Sequence, residues 1–297
     1  MGTGADTGAH SIPDAVVGIV QAPRPRHTGP VSAALMLPEA LQALRSAPAR
    51  SAVLLDVDGT LAPIVRHAED AHVPESTRSV LTRVAKAYGV VACVSGRRAA
   101  TARRIVSIGS IAYVGNHGAE LLRAGGSEPE LEPVFAAASE EVRAFQRAEW
   151  EDGRLNRLRV RGEDKGGIVA FHWRGAPDEA AAEAAVREVA RRAQDAGLWA
   201  HWGRKVLEVR PPVEVDKGRG IRRLLDGEDL DAAVYVGDDT TDLDAFAGLR
   251  ALVADGRLTA AVCVGVRSDE TPPELEREAD LLVDGPTGVR TVLGALL

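Results

Sequence analysis

Four apolar runs, each ending in polar residues, constrain the fold of this chain more than any other feature. They are SAVLLDVDGT at 51–60, GVVACVSGR at 89–97, IAYVGNHG at 111–118 and AAVYVGDDTTD at 232–242. Continuous apolar runs of this length suit strands that are buried on both faces of a parallel sheet. Helical patterns lie between them, such as TRSVLTRVAKAY at 77–88. The alternation predicts an α/β domain with a doubly wound parallel sheet.

The segment from about 124 to 212 interrupts this alternation. Its pattern predicts helices over 132–149 and 178–196, and strands in RLRVRGE (157–163), GIVAFHWR (167–174), LWAHW (198–202) and KVLEVRP (205–211). Two successive αββ units indicate a small α+β unit with an antiparallel sheet. We therefore predict a flexible N-terminal tail over 1–35, a first core segment over 36–123, an inserted α+β cap over 124–212, and a second core segment over 213–297.

Charge and hydropathy limit the classes of partner. The net charge is −7, which gives no general affinity for nucleic acid or for an anionic membrane. No apolar run approaches the roughly 20 residues that span a bilayer, and the first residues do not resemble a secretory signal. Cys93 and Cys263 lie in separate apolar runs and suit a reducing compartment. We expect a cytoplasmic monomer that acts on a small molecule.

Acidic side chains collect where the apolar runs end. Asp56 and Asp58 end the first run, and Asp238, Asp239 and Asp242 end the fourth. Open α/β sheets bind ligands outside the carboxyl ends of their strands, so these side chains share one edge of the predicted sheet. Clustered carboxylates repel one another unless a cation lies between them, and Mg²⁺ prefers oxygen ligands of this kind. The pattern predicts a magnesium site.

The same edge carries groups that suit phosphoryl transfer. An aspartate can form a covalent phosphoryl intermediate, and a metal shields the charge between that aspartate and an anionic phosphate. Lys217 starts the helix before the fourth run, where a lysine opposes the helix dipole and favours an anionic partner. Ser95, at the end of the second run, and Thr60 can donate hydrogen bonds to phosphoryl oxygens.

Four ordered segments resemble the motifs of the haloacid-dehalogenase superfamily. They are LLDVDGTLAPI at 54–64, VSGR at 94–97, DKG at 216–218 and GDDTTD at 237–242. The resemblance implies a Rossmann-like fold with a C2-type inserted cap. It implies that Asp56 is the nucleophile and that Asp58 is the general acid and then the general base, with Lys217 and Ser95 as further catalytic residues. The implied Mg²⁺ ligands are Asp56, the backbone of Asp58, and Asp238, with Asp242 in support.

Finer similarity indicates the trehalose-6-phosphate phosphatase family. GDDTTDLDAF at 237–246, GNHGAE at 115–120, Glu163-x-Lys165 followed by FHWR at 171–174, and GRKVLEVRP at 203–211 resemble segments of that family. Three residues depart from its pattern, since Leu243 replaces Glu, Trp173 replaces Tyr and Arg204 replaces Lys. The resemblance implies trehalose 6-phosphate as the substrate. The predicted substrate-binding residues are Thr60, Arg97, Asn116, His117, Glu163, Lys165, Arg174, Arg204 and Glu208.

Other interpretations of these residues stay open. The core chemistry also suits another sugar phosphate, such as sucrose 6-phosphate or mannosyl-3-phosphoglycerate. An inactive regulatory module is a third alternative, although such a module has no need to keep both Asp56 and Asp58. In the insertion, Glu163 and Lys165 could form ordinary cross-strand charge pairs. Asp238 could simply cap the helix that follows it.

Overall fold

The computed structural model describes Leu37 and residues 39–65, 70–269 and 271–297. Within these residues the strands are β1 (Ser51–Leu55), β2 (Val90–Val94), β3 (Ala112–Gly115), β4 (Glu120–Leu122), β5 (Glu130–Leu131), β6 (Arg161–Asp164), β7 (Val169–His172), β8 (Trp199–Gly203), β9 (Val206–Arg210), β10 (Ala232–Gly237), β11 (Ala260–Arg267) and β12 (Leu281–Asp284). The α-helices are α1 (Gln42–Ser46), α2 (Glu75–Ala87), α3 (Ala99–Val106), α4 (Pro133–Glu151), α5 (Arg154–Arg157), α6 (Glu179–Asp195), α7 (Lys217–Leu224), α8 (Asp242–Ala254), α9 (Pro273–Glu278) and α10 (Gly285–Ala295).

The large sheet has the strand order β12-β11-β10-β1-β2-β3-β4-β5. Its strands pair in parallel from β12 to β3, and β4 and β5 continue the sheet antiparallel. The register places Leu55 of β1 opposite Val236 of β10 on one side and Cys93 of β2 on the other. The chain adds β2 to β5 on one side of β1 and β10 to β12 on the other side. This change of direction creates the crevice where such sheets bind ligands. The predicted doubly wound sheet is confirmed.

Helices cover both faces of this sheet, as the apolar runs predict. Val53 and Leu55 of β1 point into a core shared with α2, α3 and α10. The alternate residues Ala52 and Leu54 point into a second core shared with α7, α8 and α9. All residues of β1 and β10 are buried, because a strand covered on both faces has no solvent side.

A short helix precedes β1. Helix α1 covers Gln42–Ser46, and the buried residues Leu37, Leu41 and Leu44 join the first core. The predicted flexible tail of residues 1–35 lies outside the described residues. No helix within the described residues combines the length and the apolar composition needed to cross a membrane.

A second sheet of order β6-β7-β9-β8 is antiparallel throughout. One face packs on α4, α5 and α6 through residues such as Phe171, Leu207 and Val186. On the other face the register lines up Glu163, Ala170, Glu208 and His201. Paired residues of adjacent strands point to the same side, so this face of the sheet is polar.

The strand predicted over 157–163 is wrong in its first half. Helix α5 occupies Arg154–Arg157, and β6 begins only at Arg161. Leu155 of α5 and Val160, after the turn that follows α5, pack into the core of the small sheet, and alternating hydrophobicity alone does not distinguish this arrangement from a strand. The two predicted cap helices agree with α4 and α6 to within two residues.

The chain leaves the large sheet later than the boundary at 124. Strand β5, at Glu130–Leu131, still pairs with β4 of that sheet, and the small sheet begins at Arg161. The division into core and cap segments stays a prediction.

Candidate active site

Three carboxylates meet where β1 and β10 end. Asp56 follows β1 directly, and its N–H donates to the carbonyl of Val236 at 2.8 Å, which aligns it with β10. Asp238 follows β10, and Asp242 begins α8. One carboxylate oxygen from each of the three acids lies within 4.8 Å of the others, and all three side chains are buried. The structure therefore brings together the acids that the sequence placed at one sheet edge.

Lys217 supplies the positive charge in this cluster. Asp216 caps α7 by accepting a hydrogen bond from the N–H of Arg219 at 2.7 Å, which holds Lys217 at the first helical position. The lysine is 2% exposed. Its Nζ donates to Asp56 Oδ1 at 2.8 Å and to Asp242 Oδ1 at 2.7 Å. One ammonium against three carboxylates leaves the cluster with two excess negative charges.

The carboxyl pKa values reflect that excess. Burial raises the pKa of Asp56 well above its ordinary value; the charge of Lys217 opposes that rise, and the charges of Asp242 and Asp238 add to it. Burial, followed by the charge of Asp242, raises the pKa of Asp238 to about 7. Hard oxygen donors that are buried with uncompensated negative charge fit a divalent cation such as Mg²⁺.

Asp242 is fully occupied by protein donors. Its Oδ1 accepts from Lys217 Nζ and from the hydroxyl of Tyr235 at 2.6 Å. Its Oδ2 accepts from the N–H groups of Asp238 at 2.7 Å and Asp239 at 2.9 Å. A carboxylate has about four acceptor sites, so Asp242 supports the loop that carries Asp238. Sequence reasoning missed Tyr235, because a tyrosine within an apolar run is typical of core packing.

Asp238 is held from a second side by the turn after β1. The Thr60 hydroxyl donates to Asp238 Oδ1 at 2.9 Å, so this predicted substrate-binding residue contacts a metal-site acid in the structure. Gly59 lies between them with φ +82°, and a Cβ there would lie 2.0 Å from Asp238 Oδ2. Only glycine combines this left-handed backbone with so close an approach.

Asp58 and the loop after β2 form the outer part of the site. Asp58 has 37% of its side chain exposed, and Arg97 binds it with two hydrogen bonds, Nε to Oδ2 at 2.6 Å and Nη2 to Oδ1 at 2.7 Å. The hydrogen bond with Asp58 raises the pKa of Arg97. Ser95 is buried, and its Oγ accepts from the Arg97 N–H at 3.1 Å. The predicted residues of the first two motifs therefore lie together.

A tight turn after β3 closes this side of the site. Asn116, His117 and Gly118 have φ values of +47°, +55° and +112°. Asn116 N–H donates to the carbonyl of Arg97 at 2.8 Å, and His117 N–H donates to that of Ser95 at 3.1 Å. Burial, then the charges of Arg210 and Lys217, lowers the pKa of His117 to about 4. The imidazole is therefore neutral at physiological pH.

Lys165 and Glu208 of the small sheet form an ion pair. Lys165 Nζ donates to Glu208 Oε1 at 2.7 Å, and Arg210 Nε donates to Glu208 Oε2 at 3.1 Å. Burial raises the pKa of Glu208, but the two cations outweigh this and bring it to about 2. Arg210 also influences His117 of the core, so this group faces the active site. Sequence reasoning missed Arg210, although its spacing of two residues from Glu208 puts both on one strand face.

The remaining predicted cap residues lie apart from that ion pair. Glu163 Oε2 lies 3.0 Å from Nε2 of His172. Arg174 donates to the carbonyl of Arg204 at 3.0 Å. Arg174 follows β7 whereas Lys165 precedes it, so the two arginines lie at the opposite end of the small sheet from Lys165.

Comparisons with known proteins agree with this architecture. Residues 54–274 match the sequence model of a family described as trehalose-phosphatase. A trehalose-phosphate phosphatase of Mycobacterium avium is 35% identical over 224 residues, which cover 72% of this chain and 56% of that protein. A Mycobacterium tuberculosis protein described as an uncharacterized glycosyl hydrolase is 34% identical over 208 residues, which cover 68% of this chain but 15% of that protein.

A solved structure shares the fold. The C-terminal domain of C. albicans trehalose-6-phosphate phosphatase superposes with a TM-score of 0.63 at 22% identity, covering 88% of this chain and 96% of that domain. This chain spans about half the length of the M. avium phosphatase that it matches. On the match over residues 54–274, the chain belongs to the trehalose-phosphatase family and has its haloacid-dehalogenase-type fold.

Proposed function

We propose that this chain is a Mg²⁺-dependent phosphatase that hydrolyses trehalose 6-phosphate through an aspartyl phosphate on Asp56. The observation that carries the proposal is the buried cluster of Asp56, Asp238 and Asp242 with Lys217 at the carboxyl ends of β1 and β10. Family membership supports the same reaction.

In the first step the Asp56 carboxylate attacks phosphorus, and the bond between phosphorus and the sugar oxygen breaks. Lys217, within hydrogen-bonding distance of Asp56, holds the nucleophile in place and offsets part of its charge. Asp58 gives a proton to the departing sugar oxygen. Its side chain is partly exposed at the mouth of the site, where a phosphate ester can compete with it for the Arg97 guanidinium.

In the second step water hydrolyses the aspartyl phosphate. Asp58, now a carboxylate, accepts a proton from the water as the oxygen attacks phosphorus. The bond between phosphorus and the Asp56 oxygen breaks, which restores the carboxylate and releases inorganic phosphate. Of the two predicted hydroxyl donors, Thr60 already donates to Asp238, so Ser95, whose Oγ accepts from the Arg97 N–H, is the one proposed to donate to the phosphoryl oxygens.

The donor set is suited to Mg²⁺. Asp56, Asp238 and the backbone of Asp58 would hold the ion, and Asp242 would fix the Asp238 loop through its four accepted hydrogen bonds. The bound ion supplies positive charge between an anionic nucleophile and an anionic phosphate. Buried carboxylates with raised pKa values gain the most from such a charge.

The polar face of the small sheet supports a neutral sugar as the leaving group. Lys165 and Glu208 offer a paired donor and acceptor for hydroxyl groups, and Glu163 lies on the same face. Mannosyl-3-phosphoglycerate carries an additional carboxylate, so it differs from trehalose 6-phosphate in charge as well as in shape. Sucrose 6-phosphate is also neutral apart from its phosphate, so it is the closer competitor. The complete acid set argues against an inactive regulatory module.

Phosphate release from a panel of substrates tests the proposal. The panel contains trehalose 6-phosphate, sucrose 6-phosphate, glucose 6-phosphate, mannosyl-3-phosphoglycerate and p-nitrophenyl phosphate. We expect the wild type to prefer trehalose 6-phosphate. Glu208→Ala should lower kcat/KM for it about tenfold to a hundredfold, because a buried partner is left unpaired, with a much smaller effect on p-nitrophenyl phosphate.

Glu141→Ala is the matched control, since Glu141 is exposed on α4 of the same unit. It should change neither activity. Equal loss of both activities in Glu208→Ala would mean that Glu208 stabilises the fold and does not contact sugar. A wild-type preference for sucrose 6-phosphate would overturn the substrate and leave the phosphatase chemistry standing.

A further inference from the structure

We propose that Asn116 is a positioning residue that acts through Lys165. Its side-chain amide holds the β6–β7 hairpin of the small sheet against the large sheet, so that the Lys165 ammonium is aimed at the sugar. The inference rests on the proposed function. It gives Asn116 a different role from direct substrate binding, which the sequence predicts.

The side-chain nitrogen of Asn116 is already occupied by protein acceptors. Its Nδ2 donates to the carbonyl of Lys165 and, at 2.9 Å, to Glu120 Oε1. Asn116 is 1% exposed. Both amide hydrogens are therefore used inside the protein, and no donor remains for a sugar hydroxyl.

The backbone carbonyl of Lys165 accepts the hydrogen bond from Asn116, whereas its side chain points to Glu208. Its N–H donates to the Ile168 carbonyl at 2.7 Å, which closes the hairpin. Its Nζ donates to Glu208 Oε1 at 2.7 Å on the polar face of the small sheet. A hydrogen bond to the Lys165 carbonyl therefore sets where the Lys165–Glu208 pair stands relative to the core.

Glu120 anchors the acceptor side of this contact. It is buried, and its Oε2 accepts from the N–H of Ala99 at 2.7 Å, at the start of α3. The positive end of a helix dipole favours a carboxylate there, and Arg98 lies 3.6 Å from Oε1. Gly166 packs directly on this carboxylate, since a Cβ there would lie 2.8 Å from Glu120 Oε1. The hairpin therefore packs against the Glu120 carboxylate, which the start of α3 holds in place.

The backbone around Asn116 connects the contact to the catalytic motifs. Asn116 N–H binds the carbonyl of Arg97, the residue that holds Asp58. A Cβ on Gly118 would lie 2.2 Å from the carbonyl of Asp216, the cap of the Lys217 helix. One short turn therefore touches the Arg97 loop, the Lys217 helix and the Lys165 hairpin. The turn therefore fixes the position of the Lys165 ammonium relative to the groups that are proposed to act on the phosphate.

A double-mutant cycle in KM tests the assignment. Lys165→Met should raise KM for trehalose 6-phosphate about tenfold, and Asn116→Ala about fivefold, and each variant should affect KM more than kcat. If Asn116 acts through Lys165, the double variant should match Lys165→Met to within about twofold. If KM of the double variant instead rises by the product of the two single effects, the two residues act independently and the proposal is overturned. Asn156→Ala serves as the control, because Asn156 is exposed on α5. It should leave KM for trehalose 6-phosphate unchanged.

Hydrogen exchange gives a readout that needs no substrate. In Asn116→Ala the hairpin amides of residues 164–168 should exchange at least tenfold faster, while those of β1 and β10 stay as in the wild type. Unchanged hairpin exchange overturns the proposal. Asn116→Gly also removes the donor and suits the positive φ of +47° at this position, so it replaces the alanine variant if that one does not fold.

The two proposals fail in distinguishable ways. If the wild type hydrolyses p-nitrophenyl phosphate through Asp56 but not trehalose 6-phosphate, the proposed substrate fails. The exchange experiment then still decides whether Asn116 holds the Lys165 hairpin.

Discussion

Replacing Lys217 with methionine tests the charge balance of the active site directly. Methionine keeps the length of the side chain, so the change removes the ammonium and leaves little cavity. Lys217 is 2% exposed and donates to Asp56 and Asp242 at 2.8 and 2.7 Å. Removing one partner of a buried ion pair costs about 3–5 kcal/mol, and two carboxylates lose their partner here. We expect a loss near the upper end of that range in the presence of chelator.

The loss should be large enough to measure by thermal or urea unfolding. At about 2–4 °C per kcal/mol for a chain of this size, a loss near 5 kcal/mol should lower the melting temperature by roughly 10–20 °C. Excess Mg²⁺ should restore part of the stability, since a ligand at a hundred times its Kd contributes about 2.7 kcal/mol. Phosphatase turnover should not return, because the ammonium that holds Asp56 in place is gone.

The matched control is Lys86→Met, which removes an exposed lysine in the last turn of α2. Surface changes of this kind usually stay within about 0.5 kcal/mol. If Lys217→Met in chelator is no less stable than Lys86→Met, the ammonium is not compensating the buried carboxylates. The inference that the cluster carries two excess negative charges would then be refuted.

The carboxylates of the site carry three further predictions. Asp56→Asn should abolish phosphate release without changing the circular dichroism spectrum, because an amide cannot attack phosphorus; turnover near the wild-type rate would contradict the nucleophile assignment. Chelation should abolish turnover and Mg²⁺ should restore it, so full activity in excess chelator would exclude a metal role for the cluster. Asp238 has a folded-state pKa of about 7 against an ordinary 3.8, so the folded state binds more protons than the unfolded state does. The metal-free protein should therefore lose stability as the pH rises from about 4 to 7, by on the order of 4 kcal/mol. Asp238→Asn should reduce that slope in urea unfolding measured in chelator at pH 5 and 8, with Asp56, whose pKa is also raised, carrying the remainder; a slope as steep as in the wild type would contradict the assignment to Asp238.

The sheet was predictable because its signal is local. A strand buried on both faces must be apolar at every position. In β1, Val53 and Leu55 point into one core, and Ala52 and Leu54 point into the other. The signal is weaker where a segment is buried on one side. Residues 157–163 alternate like a strand, yet Leu155 and Val160 reach their core from a short helix and a turn.

Three predictions from sequence remain untested by the structure. They are the cytoplasmic location, the monomeric state and the boundaries of the inserted cap. The first two do not follow from the packing of a single chain. Gel filtration of the purified protein would decide the second.

The sequence by itself determined which carboxylates share an edge of the sheet. Parallel strands of one sheet end on the same side, so Asp56 and Asp238 had to meet once β1 and β10 were neighbours. The order of the motifs was enough to name the family, and the charge excess that favours Mg²⁺ follows from the residue types.

Only the tertiary structure decided which side chain binds which. Thr60 and Asp238 are 178 positions apart, and Asn116 and Lys165 are 49 apart. Tyr235, Glu120 and Arg210 have sequence contexts typical of core or surface, yet their partners make them part of the site. A hydrogen bond depends on distances of about 3 Å and on direction, and those are set by how the hairpin, the turn and the helices pack, which no local pattern encodes.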